Sequence, residues 1–480
     1  MADIAIIGGG AAGASLFGEL LRRGSARVHW ITGDRAVAGR GVAYASGSGR
    51  HLLNVRAQAM SLFAGSEGEF LQFAAQRVDG AGADDFLPRD LFGDFVEAQV
   101  RACADQALLQ GRHFQIHGDD AVQVEPLCDG GYAVRLAGGL LIKADAVVLA
   151  LGALSPRPLK TVSREALQGG AYVLDPWHVN RRETAPRRVL VIGTGLTAVD
   201  TLLSAGARWP QAELVAVSRH GQLPFEHGLL PLPPYAGQSA LNTTLLASDN
   251  LLAMLRHVRR AIAAAPQADR RSLVDGMRPI NARLWRRLDA RQRRQFLRHL
   301  RWLWESARHR VAPASAEALT AMREQGRLRL HAARVLGVDG HGPLRVSLRH
   351  RATQQLDTLS ADLVIQATGL DTAVAFTEHP LLSRLLRDGL AMPDPLQLGV
   401  AAHPDGQLIN ARGELQVGLY AIGALLRGNL WECSAMAEIR VAAQQLARRL
   451  AAADSVGVSH AGGASAGKLR EPAAGLAPSA

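Results

Sequence analysis

The segment IAIIGGGAAG, residues 4–13, begins as an apolar strand and ends in a glycine-rich turn. The same order returns in VLVIGTGLTA, residues 189–198. A strand, a glycine turn and a helix form a pyrophosphate site, because glycines let backbone N–H groups approach the phosphates and the helix N-terminus carries about +0.5 of charge. Two such sites, a domain apart, predict that electrons pass between two dinucleotides, from a nicotinamide to a flavin.

We call residues 4–13 the first cradle and residues 189–198 the second cradle. The positions predicted to bind the dinucleotides are Gly8, Gly10, Gly13, Gly193, Gly195 and Ala198. The strand after the first cradle ends near residue 31, and an acidic residue is expected there for the ribose. Asp34 is our choice, with Thr32 or a backbone group as alternatives.

The strand after the second cradle, residues 214–217, is followed by Ser218 and Arg219. A 2′-phosphate needs a cation or a hydroxyl at this point, whereas NAD prefers a carboxylate. The two residues therefore favour NADPH, although Arg219 could instead be a surface arginine that follows a strand.

Two further apolar runs, residues 144–152 and 361–369, are typical of buried parallel strands that end in a glycine turn. The order cradle, strand, cradle, strand predicts an α/β fold of two doubly wound, Rossmann-like domains, one inserted into the other. We assign residues 1–160 and 360–452 to an FAD domain and residues 161–359 to an NADP domain. Gly152, Thr368 and Gly369 are predicted cofactor-binding residues at the two strand ends.

Helical periodicity places a helical insertion at about residues 240–310. Its arginines, from residue 286 to residue 301, form either a solvated helix face or a lid or anion-binding surface over the cofactor cleft. The composition of residues 453–480 is rich in Ala, Gly, Ser and Pro and lacks aromatics, so we predict that this tail is disordered.

The bulk composition narrows the class of protein. The chain has 480 residues and a formal net charge of +11, but no aromatic-interleaved basic motif accompanies the charge, so no nucleic-acid partner is expected. No apolar run reaches the about 18 residues of a membrane span, and the N-terminus enters the first strand at once, so the cytoplasm is expected. The three cysteines are far apart and no Cys/His cluster has metal-ligand spacing, so neither a redox dithiol nor a metal site is predicted.

Several short segments carry a family resemblance. Their order from residue 3 to about residue 450 resembles the YdhS-like group of FAD/NAD(P)-binding proteins. The matching segments are GRGVAY (39–44), HLLNV (51–55), MSLF (60–63), FLPRDLFG (86–93), DPW (175–177), RHR (308–310) and GNLWE (428–432). The resemblance implies FAD and a nicotinamide nucleotide as cofactors.

A wider resemblance concerns residues 362–369, which are similar to the Asp-x-x-x-x-Ala-Thr-Gly segment of flavin-dependent N-hydroxylating monooxygenases. The likeness implies a small-molecule substrate with a nucleophilic nitrogen or sulfur, and O₂ as co-substrate. Two alternatives stay open: an NAD(P)H:acceptor oxidoreductase without oxygen insertion, or a non-catalytic flavin-binding module. A homo-oligomer is also left open.

Flavoproteins of this layout line the flavin ring with residues that follow the Arg40 loop. The predicted catalytic residues are His51 for proton transfer, Asn54 for a hydrogen bond to the flavin, and Glu432 for a cationic substrate amine. The alternatives are a surface histidine, a turn-capping asparagine and a helix-capping acid. Further predicted cofactor contacts are Arg40, Ser61, Gly423 and Trp431.

Overall fold

The computed structural model describes residues 1–33, 38–45, 49–177, 184–265, 269–369 and 371–455. In these ranges the strands are β1 (Ala2–Ile7), β2 (Ala26–Ile31), β3 (Phe114–His117), β4 (Ala121–Pro126), β5 (Tyr132–Leu136), β6 (Leu141–Ala144), β7 (Ala146–Leu149), β8 (Tyr172–Val173), β9 (Arg188–Ile192), β10 (Glu213–Ser218), β11 (Leu328–Asp339), β12 (Leu344–His350), β13 (Leu356–Ala361), β14 (Leu363–Gln366), β15 (Gln407–Ile409) and β16 (Leu415–Ala421). The α-helices are α1 (Ala11–Arg23), α2 (Gly41–Tyr44), α3 (Glu69–Ala75), α4 (Arg89–Leu109), α5 (Arg164–Gln168), α6 (Leu196–Arg208), α7 (Gln238–Ala247), α8 (Leu251–Ala264), α9 (Arg270–Gly276), α10 (Asn281–Arg287), α11 (Ala290–His299), α12 (Arg301–Arg308), α13 (Pro313–Glu324), α14 (Pro380–Arg387), α15 (Arg427–Leu430) and α16 (Met436–Ser455).

The first cradle begins in the middle of a six-stranded sheet with the order β15-β16-β7-β1-β2-β3. β1 pairs in parallel with β2 and β7, and its residues from Ile4 to Ile7 are buried, as a near-continuous apolar strand requires. α1, α4 and α16 cover one face, where Phe17 stacks on Trp30 with ring centroids 4.8 Å apart. The antiparallel sheet β4-β5-β6 and α14 cover the other face.

The second cradle begins in a seven-stranded sheet with the order β13-β12-β11-β10-β9-β14-β8. β9 pairs in parallel with β10 and β14. α6 and α13 pack on one face, where Leu202 and Leu319 belong to the same buried core as Val189 of β9. The prediction of two doubly wound α/β domains is therefore confirmed.

The position of β14 corrects one predicted domain boundary. We assigned residues 360–452 to the first domain, but Leu363–Gln366 pairs with β9 and lies in the second sheet. Each domain thus has its own apolar strand next to its cradle strand, β7 in the first and β14 in the second. The two linkers cross where Leu154 and Asp371 exchange backbone hydrogen bonds of 3.3 Å, so the second domain ends near residue 369.

Helices α7 to α12 lie between β10 and β11 and occupy the predicted helical insertion. Their common core contains Leu284 and Trp285, together with Leu398 and Trp431 from the first domain. The insertion therefore packs on both domains. Of the predicted disordered tail, residues 453–455 end α16, and the residues after 455 lie outside the described ranges.

Candidate active site

The first cradle has the geometry that a dinucleotide pyrophosphate needs. Gly8 has φ +130°, and a Cβ there would lie 2.3 Å from the carbonyl oxygen of Ala150. A Cβ at Gly13 would lie 2.1 Å from the carbonyl oxygen of Gly8. Gly10 precedes α1 in an extended conformation without a capping side chain, so the first-turn N–H groups remain available to a phosphate.

The second cradle repeats this geometry. Gly193 has φ +128°, and a Cβ there would lie 2.2 Å from the carbonyl oxygen of Ala367. Gly195 precedes α6 in an extended conformation, and a Cβ at this position would meet no atom within 4 Å. Ala198 is fully buried and takes the place that Gly13 has in the first cradle. The two cradles fit two dinucleotides.

A cleft of about 840 Å³ lies between the two domains. It is lined by the second cradle, the ends of β10 and β14, α12, and the segment between α15 and α16. Among the predicted site residues, those that line it are Asn54, Gly193, Gly195, Ser218, Arg219, Thr368, Gly369, Trp431 and Glu432. The other predicted residues in the described ranges lie outside this lining: Gly8, Gly10, Gly13, Arg40, His51, Ser61, Gly152, Ala198 and Gly423.

The end of β10 supplies a hydroxyl and a cation beside the second cradle. The Oγ1 of Thr194 donates to the Oγ of Ser218 at 2.9 Å, and the backbone N–H of Gly221 donates to the same Oγ at 3.0 Å. Arg219 is exposed and lines the cleft, and it forms no ion pair with any described residue. Its guanidinium is therefore available to an anion.

An aromatic stack joins the helical insertion to this strand end. The rings of His220 and Trp302 are parallel within 12°, with centroids 4.2 Å apart, and both residues line the cleft. Burial, with Arg351 and Arg219 nearby, lowers the pKa of His220. Trp302 of α12 therefore packs against a neutral imidazole at neutral pH. Our sequence analysis did not identify this pair, because no local pattern signals a contact across about 80 residues of sequence.

His51 lies between the two domains and not at the cleft. Its ring Nε2 is 2.7 Å from the Oγ of Ser204 on α6, and its ring meets that of Trp177 edge-on at 5.7 Å. Beside it, Arg89 of α4 forms a 2.8 Å ion pair with Asp200 of α6. Burial lowers the pKa of His51, so the ring is neutral at pH 7. His51 thus lies at the contact between the domains, and its role in proton transfer stays a prediction.

Asn54 lines the cleft, and its hydrogen bond to the flavin stays a prediction. Its carbonyl oxygen is 3.0 Å from the Nε2 of His227, a residue of the long segment between β10 and α7. His227 also packs on Phe86, with ring centroids 4.8 Å apart. Burial lowers the pKa of His227 to about 4, and Arg310 lowers it further toward that value. The neutral ring donates to Asn54 and ties the second domain to the first.

Ser61 is fully buried in the first domain. Its hydroxyl donates to the carbonyl oxygen of Phe63 at 2.9 Å and accepts from Arg440 of α16. We therefore correct the predicted role of Ser61 from a cofactor contact to a structural one. Its hydroxyl holds α16 against the segment that contains Ser61 and Phe63.

Arg40 lies beside the first cradle. The backbone N–H of Gly39 donates to the carbonyl oxygen of Gly9 at 2.8 Å, while the Arg40 guanidinium forms ion pairs with Asp94 and Glu97 of α4. Arg40 thus holds its loop against the cradle, and its direct contact with a cofactor stays a prediction.

Glu432 is partly buried and bound by three side chains of the insertion. Its Oε2 accepts from the Nδ2 of Asn281 at 2.9 Å and from the Nε of Arg308 at 3.3 Å, and its Oε1 accepts from the Nε1 of Trp304 at 3.0 Å. Glu432 also lines the cleft, so its contact with a substrate amine stays a prediction. These bonds orient Arg308, which lines the cleft as well.

Trp431 forms a wall between the cleft and the insertion. Its ring stacks on Trp285 at 4.9 Å and meets Phe296 edge-on at 5.2 Å, and Arg427 lies 4.7 Å over it. Its φ of +61° is uncommon for a bulky side chain. Such strain persists only where the surrounding packing determines it, and it is frequent at functional sites.

A second acid at the cleft was missed by sequence reasoning. Glu305 of α12 accepts from the Nε of Arg301 at 2.9 Å and from the Nη2 of Arg427 at 2.8 Å. Burial would by itself raise the pKa of Glu305, but the two arginines outweigh it and hold the pKa below its ordinary value. The carboxylate is therefore ionised and joins the insertion to the first domain.

Two predicted cofactor contacts, Gly152 and Gly423, are glycines with a positive φ. Gly152 has φ +68° and follows β7, and Gly423 has φ +79° and its Cβ position lies 3.6 Å from that of Ala12 in α1. Both are therefore near the first cradle, and their contact with a cofactor stays a prediction. Asp34, predicted to bind the ribose, lies outside the described residues.

In the described ranges, no helix combines the length and the apolarity that a membrane crossing requires. Nor do three His, Cys, Asp or Glu side chains group there as metal ligands would. All three cysteines are free, and burial raises the pKa of Cys433, which lines the cleft, to about 12.

Residues 5–154 match the model of an FAD-NAD(P)-binding protein family. The matched range starts in β1 and ends at the linker that leaves the first domain, which confirms the prediction that the first cradle opens a dinucleotide-binding domain. A comparison with curated protein sequences found no significant match. The narrower resemblance to the YdhS-like group stays a prediction.

The fold with its duplicated cradles is that of proteins with two dinucleotide-binding domains, and solved structures agree. The ornithine N-hydroxylase KtzI from Kutzneria sp. 744 is similar with a TM-score of 0.62 and 16% identity, covering 94% of this chain and 99% of its own. L-lysine 6-monooxygenase from Pseudomonas syringae is similar with a TM-score of 0.61 and 16% identity, and the match covers 94% of this chain and 100% of that one. Thioredoxin reductase from T. acidophilum is similar with a TM-score of 0.51 and 13% identity, and the match covers 95% of this chain and 100% of that one. At these identities the likeness shows the fold.

Proposed function

We propose that the protein is an NADPH-dependent FAD enzyme, and specifically a monooxygenase that hydroxylates a nitrogen or sulfur nucleophile of a small molecule with O₂. When bound, FAD would supply the hydride acceptor and the chemistry with oxygen. The observation that carries the proposal is the pair of cradles with one geometry, Gly8 at φ +130° and Gly193 at φ +128°, the second of which lines the cleft between the two domains.

The nucleotide end of the cleft supports NADPH. The second cradle binds the pyrophosphate at the N-terminus of α6. Ser218, oriented by Thr194 and Gly221, and the unpaired Arg219 bind the 2′-phosphate. A carboxylate would be expected at this strand end for NAD.

The other end of the cleft takes the substrate and excludes water. Trp431 forms an apolar wall of the cleft, and Asn54 lines the cleft on a segment held by His227. The neighbours KtzI and L-lysine 6-monooxygenase act on amino acids that carry a side-chain amine, and the same class of nitrogen nucleophile is proposed here. Arg308, oriented by Glu432, offers a cation for a substrate carboxylate.

The proposal includes the cytoplasm as the compartment, which three free cysteines favour. A homo-oligomer stays an expectation in the same way as the compartment. Because Cys433 stays protonated and no two cysteines lie close in sequence, we expect electrons to leave the flavin to O₂ or to a separate acceptor.

The second candidate function is an NAD(P)H:acceptor oxidoreductase without oxygen insertion. The ion pair of Glu432 with Arg308 favours it, because the arginine offsets the negative charge that would attract a substrate ammonium. Turnover under anaerobic conditions with a quinone or a dye is its signature.

Isotope labelling distinguishes the monooxygenase from the acceptor oxidoreductase. The purified enzyme is supplied with NADPH and ¹⁸O₂, and with L-ornithine, L-lysine, simple amines or thioethers in turn. The proposal expects one labelled oxygen in a hydroxylated product, in proportion to the NADPH consumed. If every compound leaves all the label in H₂O₂ while a quinone supports turnover, the monooxygenase proposal is wrong and the second candidate stands.

A further inference from the structure

The charge of the chain is concentrated in the helical insertion. Residues 238–308 contain fifteen arginines, no lysine and five acidic residues, so they carry +10 of the formal net charge of +11. The rest of the chain is nearly neutral. A genome-wide preference for arginine would raise the count everywhere, and it does not explain this segregation.

The arginines of the insertion differ in their partners. Those that face the two domains are ion-paired, for example Arg278 with Glu438 at 2.6 Å and Arg301 with Glu305 at 2.9 Å. Six on α10 and α11 are exposed and form no ion pair with any described residue. We call these six the arginine surface: Arg283, Arg286, Arg287, Arg291, Arg294 and Arg298.

The spacing puts each half of the arginine surface on one helix face. The three on α10 recur at i, i+3 and i+4, and the three on α11 at i, i+3 and i+7, so like charges are neighbours that repel each other. The acid between the two helices, Asp289, is engaged as the N-cap of α11 through Gln292. Folding alone gives no reason for this arrangement.

The two helices are joined to each other and to the cleft wall. Arg293 of α11 donates to the carbonyl oxygens of Trp285 and Arg286 at the end of α10. On its inner side α11 presents Phe296, which meets Trp431 of the cleft wall edge-on at 5.2 Å. The arginine surface is therefore the outer side of the wall that encloses the cleft.

We propose that the arginine surface docks an acidic protein next to the cleft. Guanidinium groups bind carboxylates through two parallel hydrogen bonds, and an unpaired set of them speeds the encounter with an oppositely charged partner. The proposal goes beyond the reaction and holds whether or not oxygen is inserted.

Two other anionic partners fit the surface less well. Single-stranded nucleic acids use exposed aromatic platforms, but Trp285 is 3% exposed and Phe296 packs inward. Anionic membranes need apolar side chains that insert, and no large apolar side chain of α10 or α11 is exposed in the described residues.

A charge-reversal experiment tests the docking. The variant R291E/R294E/R298E removes the α11 half of the arginine surface, and R345E/R349E/R412E reverses three exposed arginines in β12 and after β15 as the matched control. Fluorescence anisotropy measures the binding of labelled poly-L-glutamate of about 20 residues, as a substitute for an acidic protein surface, at about 0.15 M salt. Far-UV circular dichroism and flavin reduction by NADPH verify that both variants are folded.

The proposal expects the α11 variant to weaken binding by about tenfold or more and the control by less than about twofold. Equal weakening in both variants, or none in either, would overturn it. Two further arms use an oligothymidylate of about 20 nucleotides and phosphatidylcholine vesicles with phosphatidylserine. If either binds more tightly than poly-L-glutamate and is lost in the α11 variant alone, the partner is a nucleic acid or a membrane, and the proposal is wrong.

Discussion

Gly193 and Gly195 of the second cradle have different structural roles. At Gly193 the backbone is in a conformation that L side chains rarely adopt and touches the carbonyl oxygen of Ala367, whereas at Gly195 the φ of −79° is ordinary and the space is open. The first glycine is thus required by the fold and the second by a ligand that approaches the backbone.

This difference predicts that alanine substitutions at the two glycines affect different properties, namely stability and NADPH binding. Gly193→Ala is expected to lower the free energy of unfolding by about 3 kcal/mol, because the new Cβ is strained and clashes with the backbone. Gly195→Ala is expected to change it by less than about 1 kcal/mol but to raise the Kd for NADPH by about tenfold or more. Urea unfolding and NADPH titration measure the two effects. A Gly195→Ala protein that binds NADPH normally would contradict the placement of the pyrophosphate.

Arg219 is predicted to select the phosphorylated coenzyme. Because its guanidinium is unpaired beside Ser218, Arg219→Ala should lower kcat/KM for NADPH by roughly ten- to a hundredfold and leave kcat/KM for NADH unchanged. Steady-state kinetics with both coenzymes test this, and Arg345→Ala, an exposed arginine of β12, is the control. Equal losses with NADH and NADPH would show that Arg219 does not bind the 2′-phosphate.

Glu432 is predicted to hold the insertion and not the substrate. Glu432→Ala leaves the mostly buried Arg308 side chain, 14% exposed, without its partner and is expected to cost about 3 kcal/mol of unfolding free energy. Glu432→Gln keeps an acceptor oxygen and should cost less. Urea unfolding and KM for the amine substrate are measured together. A normal stability with a raised KM in Glu432→Gln would instead restore the role predicted from the sequence.

Secondary-structure elements were predictable where the signal is local. Both cradles, the strand after each of them and the helical insertion follow from runs of neighbouring residues. The pairing of β14 with β9 joins residues about 170 apart in the chain, and its sequence is as apolar as that of β7, so the strand was assigned to the wrong sheet. The same reason hid the position of His51, since its partners Ser204 and Asp200 are on a helix of the other domain.

The segment that carries His227 gives the interface between the domains a dependence on pH. The ordinary histidine pKa is 6.5 and that of His227 is lowered to about 4, so the folded protein binds fewer protons than the unfolded chain between these values. The free energy of unfolding therefore falls as the pH drops from 6.5 to 4. His227→Gln keeps a donor for Asn54 and should remove roughly 2–3 kcal/mol of this decrease. Urea unfolding of both proteins at several pH values measures the difference, and parallel curves would contradict it.

Across the complete chain, the sequence defined the class of fold and the cofactors, but not the substrate end of the cleft. A glycine turn between a strand and a helix has few physical causes. Two such turns in one chain are therefore a specific signal for dinucleotide binding. Glu432, predicted to meet a substrate amine, is paired with Arg308 of the helical insertion, 124 residues away in the chain. Such pairing depends on tertiary packing, and the identity of the substrate depends on it too.

An anaerobic titration of the purified FAD-loaded protein with NADPH addresses the hydride transfer directly. Because the second cradle lines the cleft and the first domain contributes to the same lining, we expect one equivalent of NADPH to bleach the oxidised flavin absorbance, and Gly195→Ala to need far more NADPH at unchanged FAD content. A protein that retains no FAD, or whose flavin stays oxidised with excess NADPH, would contradict the assignment of the two cradles to a flavin and a nicotinamide.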